Sequence, residues 1–142
     1  MGYNTQIFHD VTFGSEPYLV KLGNNVKITN NVHFITHDGG IHVFRTQGKL
    51  VDGDVFGRIV LGDNIFVGNN VCFLPGITIG NNCVIGTGSI VTKSFPSNVV
   101  IAGIPAKIVK TLDEYYSKIN SKAIPTKGMS PKEKKEYITT NL

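Results

Sequence analysis

LGDNIFVGNNVCFLPGITIGNNCVIGTGSIVTKSFP, residues 61–96, divides into six blocks of six: LGDNIF, VGNNVC, FLPGIT, IGNNCV, IGTGSI and VTKSFP. Position one is always aliphatic or Phe, position two is usually Gly, and position five is usually Val, Ile or a small residue. A helical period fails, because the apolar residues recur at alternating steps of four and two. Positions five, six and one, as in Ile65, Phe66 and Val67, predict a three-residue strand whose first and third side chains share a face. Positions two to four predict a corner, where Gly and Asn tolerate left-handed backbone. Three blocks then close one triangular coil of 18 residues. Coils stacked about 4.8 Å apart turn their apolar positions toward a common axis. The expected fold is all-β, a parallel β-helix shaped as a triangular prism.

The same rhythm runs upstream through LGNNVK, ITNNVH and FITHDG, residues 22–39, and then stops for about twenty residues. It ends at Ala102–Lys110, where Pro105 interrupts it. Beyond this point Leu112, Tyr115, Tyr116 and Ile119 fall at helical spacing, which predicts a short helix closing the open end of the prism. A second helix is expected from Ser130 as cap and Pro131 in the first turn. The organisation predicted is a β-helix over 1–110, with a protruding loop at 38–58, and a helical cap with a basic tail over 111–142.

A chain of 142 residues forms one domain and buries only a modest core unaided, so oligomerisation is expected. Residues 1–92 carry five basic and six acidic side chains, and residues 93–142 carry nine and four. The positive end suits either an anionic ligand or a solvated helix face. It lacks the interleaved aromatics of a nucleic-acid surface, so no nucleic acid is expected as partner. No apolar run reaches the roughly 20 residues of a membrane span, and MGYNTQIFHD lacks the regions of a signal peptide. The expectation is a cytoplasmic protein. Cys72 and Cys83 form no CxxC pair and read as free thiols.

His37 stands at the third corner position, where the preceding blocks have Asn25 and Asn31, and the rhythm breaks directly after it. A solvent-facing histidine at the root of a long loop suggests a functional site, since long loops on rigid scaffolds usually carry function. A purely structural corner histidine is the alternative. His33 reads as an outward strand residue. His37 and His42 together raise a metal site, but a third histidine is missing, because His9 lies at no multiple of 18 residues from the pair. Asn69, Thr87 and Pro105 are spaced by 18 and would form a column along one edge, ending near Lys107 and Lys110. Such a column suits a long ligand with an anionic end, or merely reflects what corners use.

Residues 59–110, above all VTK followed by NVVIAGIPAK, resemble the end of acetyl-CoA-dependent hexapeptide-repeat O-acetyltransferases of the galactoside, maltose and xenobiotic group. FITHDGG followed by GIHVFR resembles the variant of capsular and surface-polysaccharide acetyltransferases. The resemblance implies left-handed winding, a homotrimer with active sites between subunits, acetyl-CoA as acyl donor with no metal, and a saccharide acceptor. It also implies His37 as catalytic base, with Asp38 orienting the imidazole or binding the acceptor, and His42 at the acceptor. Asn69, Thr87, Thr92, Lys93, Pro105, Lys107 and Lys110 fall at or beside its coenzyme positions; relatives often have arginine at the last two, so lysine binds phosphate here as a point charge. The reaction implied is direct transfer, the imidazole taking the hydroxyl proton. A zinc enzyme of the gamma carbonic anhydrase kind, an acetyltransferase for serine or a streptogramin-type antibiotic, and a non-catalytic β-helix are the competing readings.

Overall fold

The structure, a computed structural model, describes all 142 residues. Twelve short strands form three sheets around a triangular axis. The first sheet holds, in order, β1 (Gln6–Ile7), β3 (Val26–Ile28), β6 (Ile65–Val67), β9 (Cys83–Ile85), β11 (Val99–Gly103) and β12 (Ala106–Thr111). The second holds β4 (His33–Phe34), β7 (Cys72–Phe73) and β10 (Ile90–Val91), and the third β2 (Val20–Leu22), β5 (Ile59–Leu61) and β8 (Ile77–Ile79). Every pairing is parallel except β11 with β12. The 18-residue coil is the register itself: Ile65 pairs with Cys83, Ile59 with Ile77, and Cys72 with Ile90.

Strand alternation sorts the side chains as the hexads imply. In β6 and β8 the outer residues are buried and the middle one, Phe66 or Thr78, is exposed. The interior is a column of Val, Ile, Leu and Phe, in which Phe13, Phe34 and Phe73 stack face to face with centroids 5.0 and 4.8 Å apart. Those separations match the rise of one coil. Each such residue is held by burial and by its equivalents above and below.

The corners divide their labour differently from the expectation. Left-handed backbone falls on the third corner residue, Asn25, Asn31, Asn64, Asn70 and Asn82, at φ between 55° and 59°. The glycine at the first position is there for space. A Cβ on Gly62 would meet Asn81 Oδ1 at 2.4 Å and Gly80 O at 2.9 Å in the next coil. The second residue supplies a carbonyl or carboxylate oxygen that accepts the N–H of the coil before it, as Asp63 does from Asn24 at 2.7 Å and Asn81 from Asp63 at 2.8 Å.

Not every coil has 18 residues. Gln6 pairs with Lys27, an excess of three residues, and Val26 with Ile65, which contains the long loop. Val84 pairs with Val100, two residues short. This last offset corrects the predicted column: the residue over Thr87 is Gly103, and Pro105 lies beyond it in the turn between β11 and β12. The antiparallel return of β12 is itself an element the hexad reading missed. Two short helices follow, α2 (Leu112–Asn120) and α3 (Pro131–Asn141), each opened by a capping box, from Thr111 with Glu114 and from Ser130 with Glu133. Helix α2 packs on β11 and β12 through half-buried Leu112 and Tyr115. Tyr116 and Ile119, expected in the same contact, are 63% and 40% exposed.

Candidate active site

The prism has three edges, and the long loop leaves from one of them. Edge one, between the third and first sheets, holds residues 23–25, 62–64, 80–82 and 96–98. Edge two, between the first and second sheets, holds 29–31, 68–70 and 86–88. Edge three, between the second and third sheets, holds Gly14–Leu19, the loop from Ile35 to Arg58, Leu74–Gly76 and Thr92–Ser94. The extra residues of the first coil and those of the second therefore collect on the same edge.

His37 stands at the root of the loop. The predicted corner geometry is replaced there by a short antiparallel neck: Gly57 N–H donates to Thr36 O at 2.8 Å, Asp38 N–H to Val55 O at 2.9 Å, and His37 bridges Phe56. His37 is accordingly extended, not left-handed like Asn25 and Asn31. Gly57 has no room for a side chain, since its Cβ would lie 2.4 Å from Gly76 N. Past the neck the loop is ordered by its own contacts. Asp38 Oδ1 accepts from Gly40 N–H at 2.8 Å, a helical turn at Gly39–Ile41 leads into α1 (His42–Thr46), and Ile41 is buried. Arg45 Nη2 donates to Gly53 O at 2.6 Å and to the Asp54 carboxylate, which ties the two limbs together.

The exposed imidazole of His37 makes no hydrogen bond within the chain and separates two depressions. The first, of about 300 Å³, is polar and charged, with Ser15, Glu16, Asp38, Arg45 and Asp54 around His37. The second, of about 550 Å³, shares Asp38, Gly39, Val55 and Phe56 with the first and adds Ile35, Gly57, Leu74, Pro75, Gly76 and Thr92. One side chain thus faces a charged surface on one side and a less polar, backbone-rich surface on the other. Asp38 and Thr92, both named from the sequence, fall here. Lys93 follows Thr92 on the same edge, its Nζ 5.5 Å from the Phe95 ring centroid. Glu16 was missed, although the coil from Gln6 to Lys27 is three residues too long at that point. His42, also named from the sequence, opens α1 and lines neither depression.

The remaining predicted residues lie elsewhere. Asn69 and Thr87 are on edge two, across the whole second sheet from His37. Asn69 Oδ1 is already engaged, accepting from Asn30 N–H at 3.0 Å, which leaves its amide nitrogen for other use. The ladder of side-chain caps on this edge stops there, because Thr87 replaces the next asparagine and its hydroxyl has no partner in the chain. Lys107 pairs with Ala102 beside Gly103, over the top of this edge, and Lys110 pairs with Val100 farther along β12. Both thiols lie away from His37. Burial pushes Cys72 and Cys83 above the ordinary thiol range, which favours the unreactive protonated form. No three of the His, Cys, Asp and Glu side chains gather as a metal-ligand group, and no helix is long and apolar enough to cross a membrane.

Known proteins share this architecture. The family profile described as "Bacterial transferase hexapeptide (six repeats)" matches residues 58–93. Protein CapG of Staphylococcus aureus is 51% identical over 127 residues, covering 89% of this chain and 73% of CapG. Galactoside O-acetyltransferase of Escherichia coli (strain K12) is 39% identical over 108 residues, covering 72% of this chain and 51% of the relative. The chain therefore spans about half the length of that enzyme. Among solved structures, a galactoside acetyltransferase in complex with coenzyme A superposes with a TM-score of 0.57 at 26% identity, over 81% of this chain and 68% of the other. The fold is the left-handed β-helix of these proteins.

Proposed function

Because the chain belongs to the hexapeptide-repeat acetyltransferase family, we propose that it transfers the acetyl group of acetyl-CoA to a hydroxyl of a saccharide of the kind built into surface polysaccharide. The observation that carries the reading is the position of His37, free and exposed between a charged depression and a less polar one. In this reading His37 accepts the proton of the acceptor hydroxyl while the oxygen attacks the thioester carbonyl. The carbon–sulfur bond breaks, and the proton held by His37 passes to the departing thiolate, so the imidazole ends as it began. Backbone N–H groups stabilise the transient oxyanion, and water is kept from the carbonyl by the apolar wall of Ile35, Phe56 and Leu74. Asp38, whose Oδ1 is spent on Gly40, has a second oxygen free for the acceptor.

The side chains that suit the donor are the free hydroxyl of Thr87 and the ammonium groups of Lys107 and Lys110, which match an anionic nucleotide. They are on edge two and its upper end, while His37 and Thr92 are on edge three. A strand of three residues spans about 10 Å. What supports a site shared between copies is this separation: edge two of one chain set against edge three of its neighbour brings both groups to one groove, which a closed ring of three provides. The outward Phe66, 41% exposed, adds an apolar surface to such a contact.

The test is release of coenzyme A thiol from acetyl-CoA by the purified protein with hexoses, amino sugars, oligosaccharides, serine and a streptogramin as acceptors. Saccharide-dependent release is expected. Release driven by serine or the antibiotic alone would replace the acceptor class, and stoichiometric zinc with carbon dioxide hydration would replace the reaction.

A further inference from the structure

The charged groups of the polar depression do not balance, and the imbalance bears on which saccharide enters it. Glu16, Asp38 and Asp54 supply three carboxylates against one guanidinium, that of Arg45. The charge of Arg45 is set against Asp54, since its Nη2 donates to Gly53 O and to the Asp54 carboxylate, and this is the only ion pair in the chain. Glu16 and Asp38 are left without a cation. Each has one oxygen used locally: Glu16 Oε2 accepts from the Ser15 hydroxyl at 2.6 Å, and Asp38 Oδ1 from Gly40 N–H at 2.8 Å. These contacts hold the carboxylates in place without neutralising them. No lysine of the same chain lines the depression, and those of the neighbouring edge two are assigned to the coenzyme.

A surface of this kind accepts hydrogen bonds and offers little to an anion. Sugar hydroxyls and ammonium groups donate to free carboxylate oxygens, whereas a carboxylate on the acceptor would be set against two like charges. Selection of this sort works by what is repelled as much as by what is bound. Resting on the acetyl-transfer reading above, we infer that the acceptor is a neutral or amino-bearing saccharide, that uronic and sialic acids are rejected, and that Glu16 and Asp38 set this preference. The same two residues contact the acceptor, so they govern its KM more than the proton transfer at His37.

The test compares acceptors matched in stereochemistry: methyl glucoside with methyl glucuronide, methyl galactoside with methyl galacturonide, and glucosamine beside glucose, each with acetyl-CoA and the intact protein. The neutral and amino members are expected to exceed the acidic ones in kcat/KM by roughly tenfold or more. Raising the ionic strength should narrow the gap. Glu16→Gln and Asp38→Asn, which keep shape and local hydrogen bonding, should narrow it through the KM of the acidic member. Equal use of both members of a pair overturns the inference while leaving acetyl transfer standing. So does preference for a uronide that survives Glu16→Gln and is lost in Arg45→Lys, which would make Arg45 an anion receptor. Absence of coenzyme A release with every member sinks the parent reading and this one with it.

Discussion

Edge one and edge three are built on the same three strands per coil, yet one is almost all structure and the other almost none. On edge one every level repeats a single device. Asn24, Asp63 and Asn81 pass the hydrogen bond of one coil to the next, ending on Ser97, while Asn64 donates to Asn82 at 2.8 Å and Asn82 to Asn98 at 3.1 Å. On edge three no level repeats another. The first coil bulges with Gly14–Leu19, the second leaves the prism at His37, and only the third and fourth are compact. A polar side chain on edge one is satisfied by its neighbours, so it has nothing to give a ligand. On edge three His37, Glu16 and Asp38 keep unpaired atoms, which is the condition for chemistry.

The contrast makes predictions that separate activity from stability. His37→Ala should lower kcat by roughly 100-fold to 10,000-fold, the range for losing a positioned general base, with little change in thermal stability or acetyl-CoA binding. A His42→Ala control, being outside both depressions, should leave kcat near the parent value. Steady-state kinetics and a melting curve on the same samples decide it.

Gly62→Ala should do the reverse. The added methyl meets Asn81 Oδ1 and Gly80 O of the next coil, so unfolding free energy should fall by about 1–3 kcal/mol in urea while kcat per folded molecule is unchanged. An unaltered midpoint would show that the coils separate more readily than the ladder implies.

Edge two is intermediate, since its ladder runs up to Asn69 and stops. Lys107→Ala with Lys110→Ala should raise the KM for acetyl-CoA by roughly tenfold and leave the acceptor KM alone, because a phosphate contact is made equally in ground and transition states. A rise in acceptor KM instead would mean that the basic end serves the other substrate. Thr87→Asn is the finest probe. It extends the ladder by one cap, so it should stabilise the fold by about 0.5–1 kcal/mol and at the same time weaken acetyl-CoA binding. Stabilisation without weaker binding would remove Thr87 from the donor site.

How much of this could be read in advance follows from the same contrast. Edge one is periodic, and periodicity is what a sequence displays: Gly62, Asn64, Gly80 and Asn82 announce their corners by recurrence. The strands and core follow from the same repeat. His37 was visible because it ends the repeat. Glu16 was hidden because Gly14–Leu19 has no second copy to reveal it as an insertion. Pro105 was placed in the wrong column because the coil containing Ser94–Ser97 is two residues short, and a fixed step of 18 carries no warning of a deletion. The hairpin of β12 escaped for a related reason: Ala106–Thr111 pairs antiparallel, outside the period that identified the strands of the hexads. The relation of His37 to Asn69 and Thr87 depends on the number of residues in the loop, which is a matter of three-dimensional register and not of local pattern.

The central claim is that edge two of one chain and edge three of another complete a single site, with His37 as its base. It is tested most directly by mixing two impaired proteins, His37→Ala and the Lys107→Ala, Lys110→Ala double variant, unfolding and refolding them together, and assaying at low acetyl-CoA. In mixed assemblies some sites receive an intact edge two from one variant and an intact edge three from the other. With random, equal mixing about a quarter of sites are whole, so activity should rise well above the mean of the two parents, and light scattering should give the mass of a trimer. Activity that stays at that mean, in assemblies shown to contain both chains, would contradict the account and return the whole site to one chain.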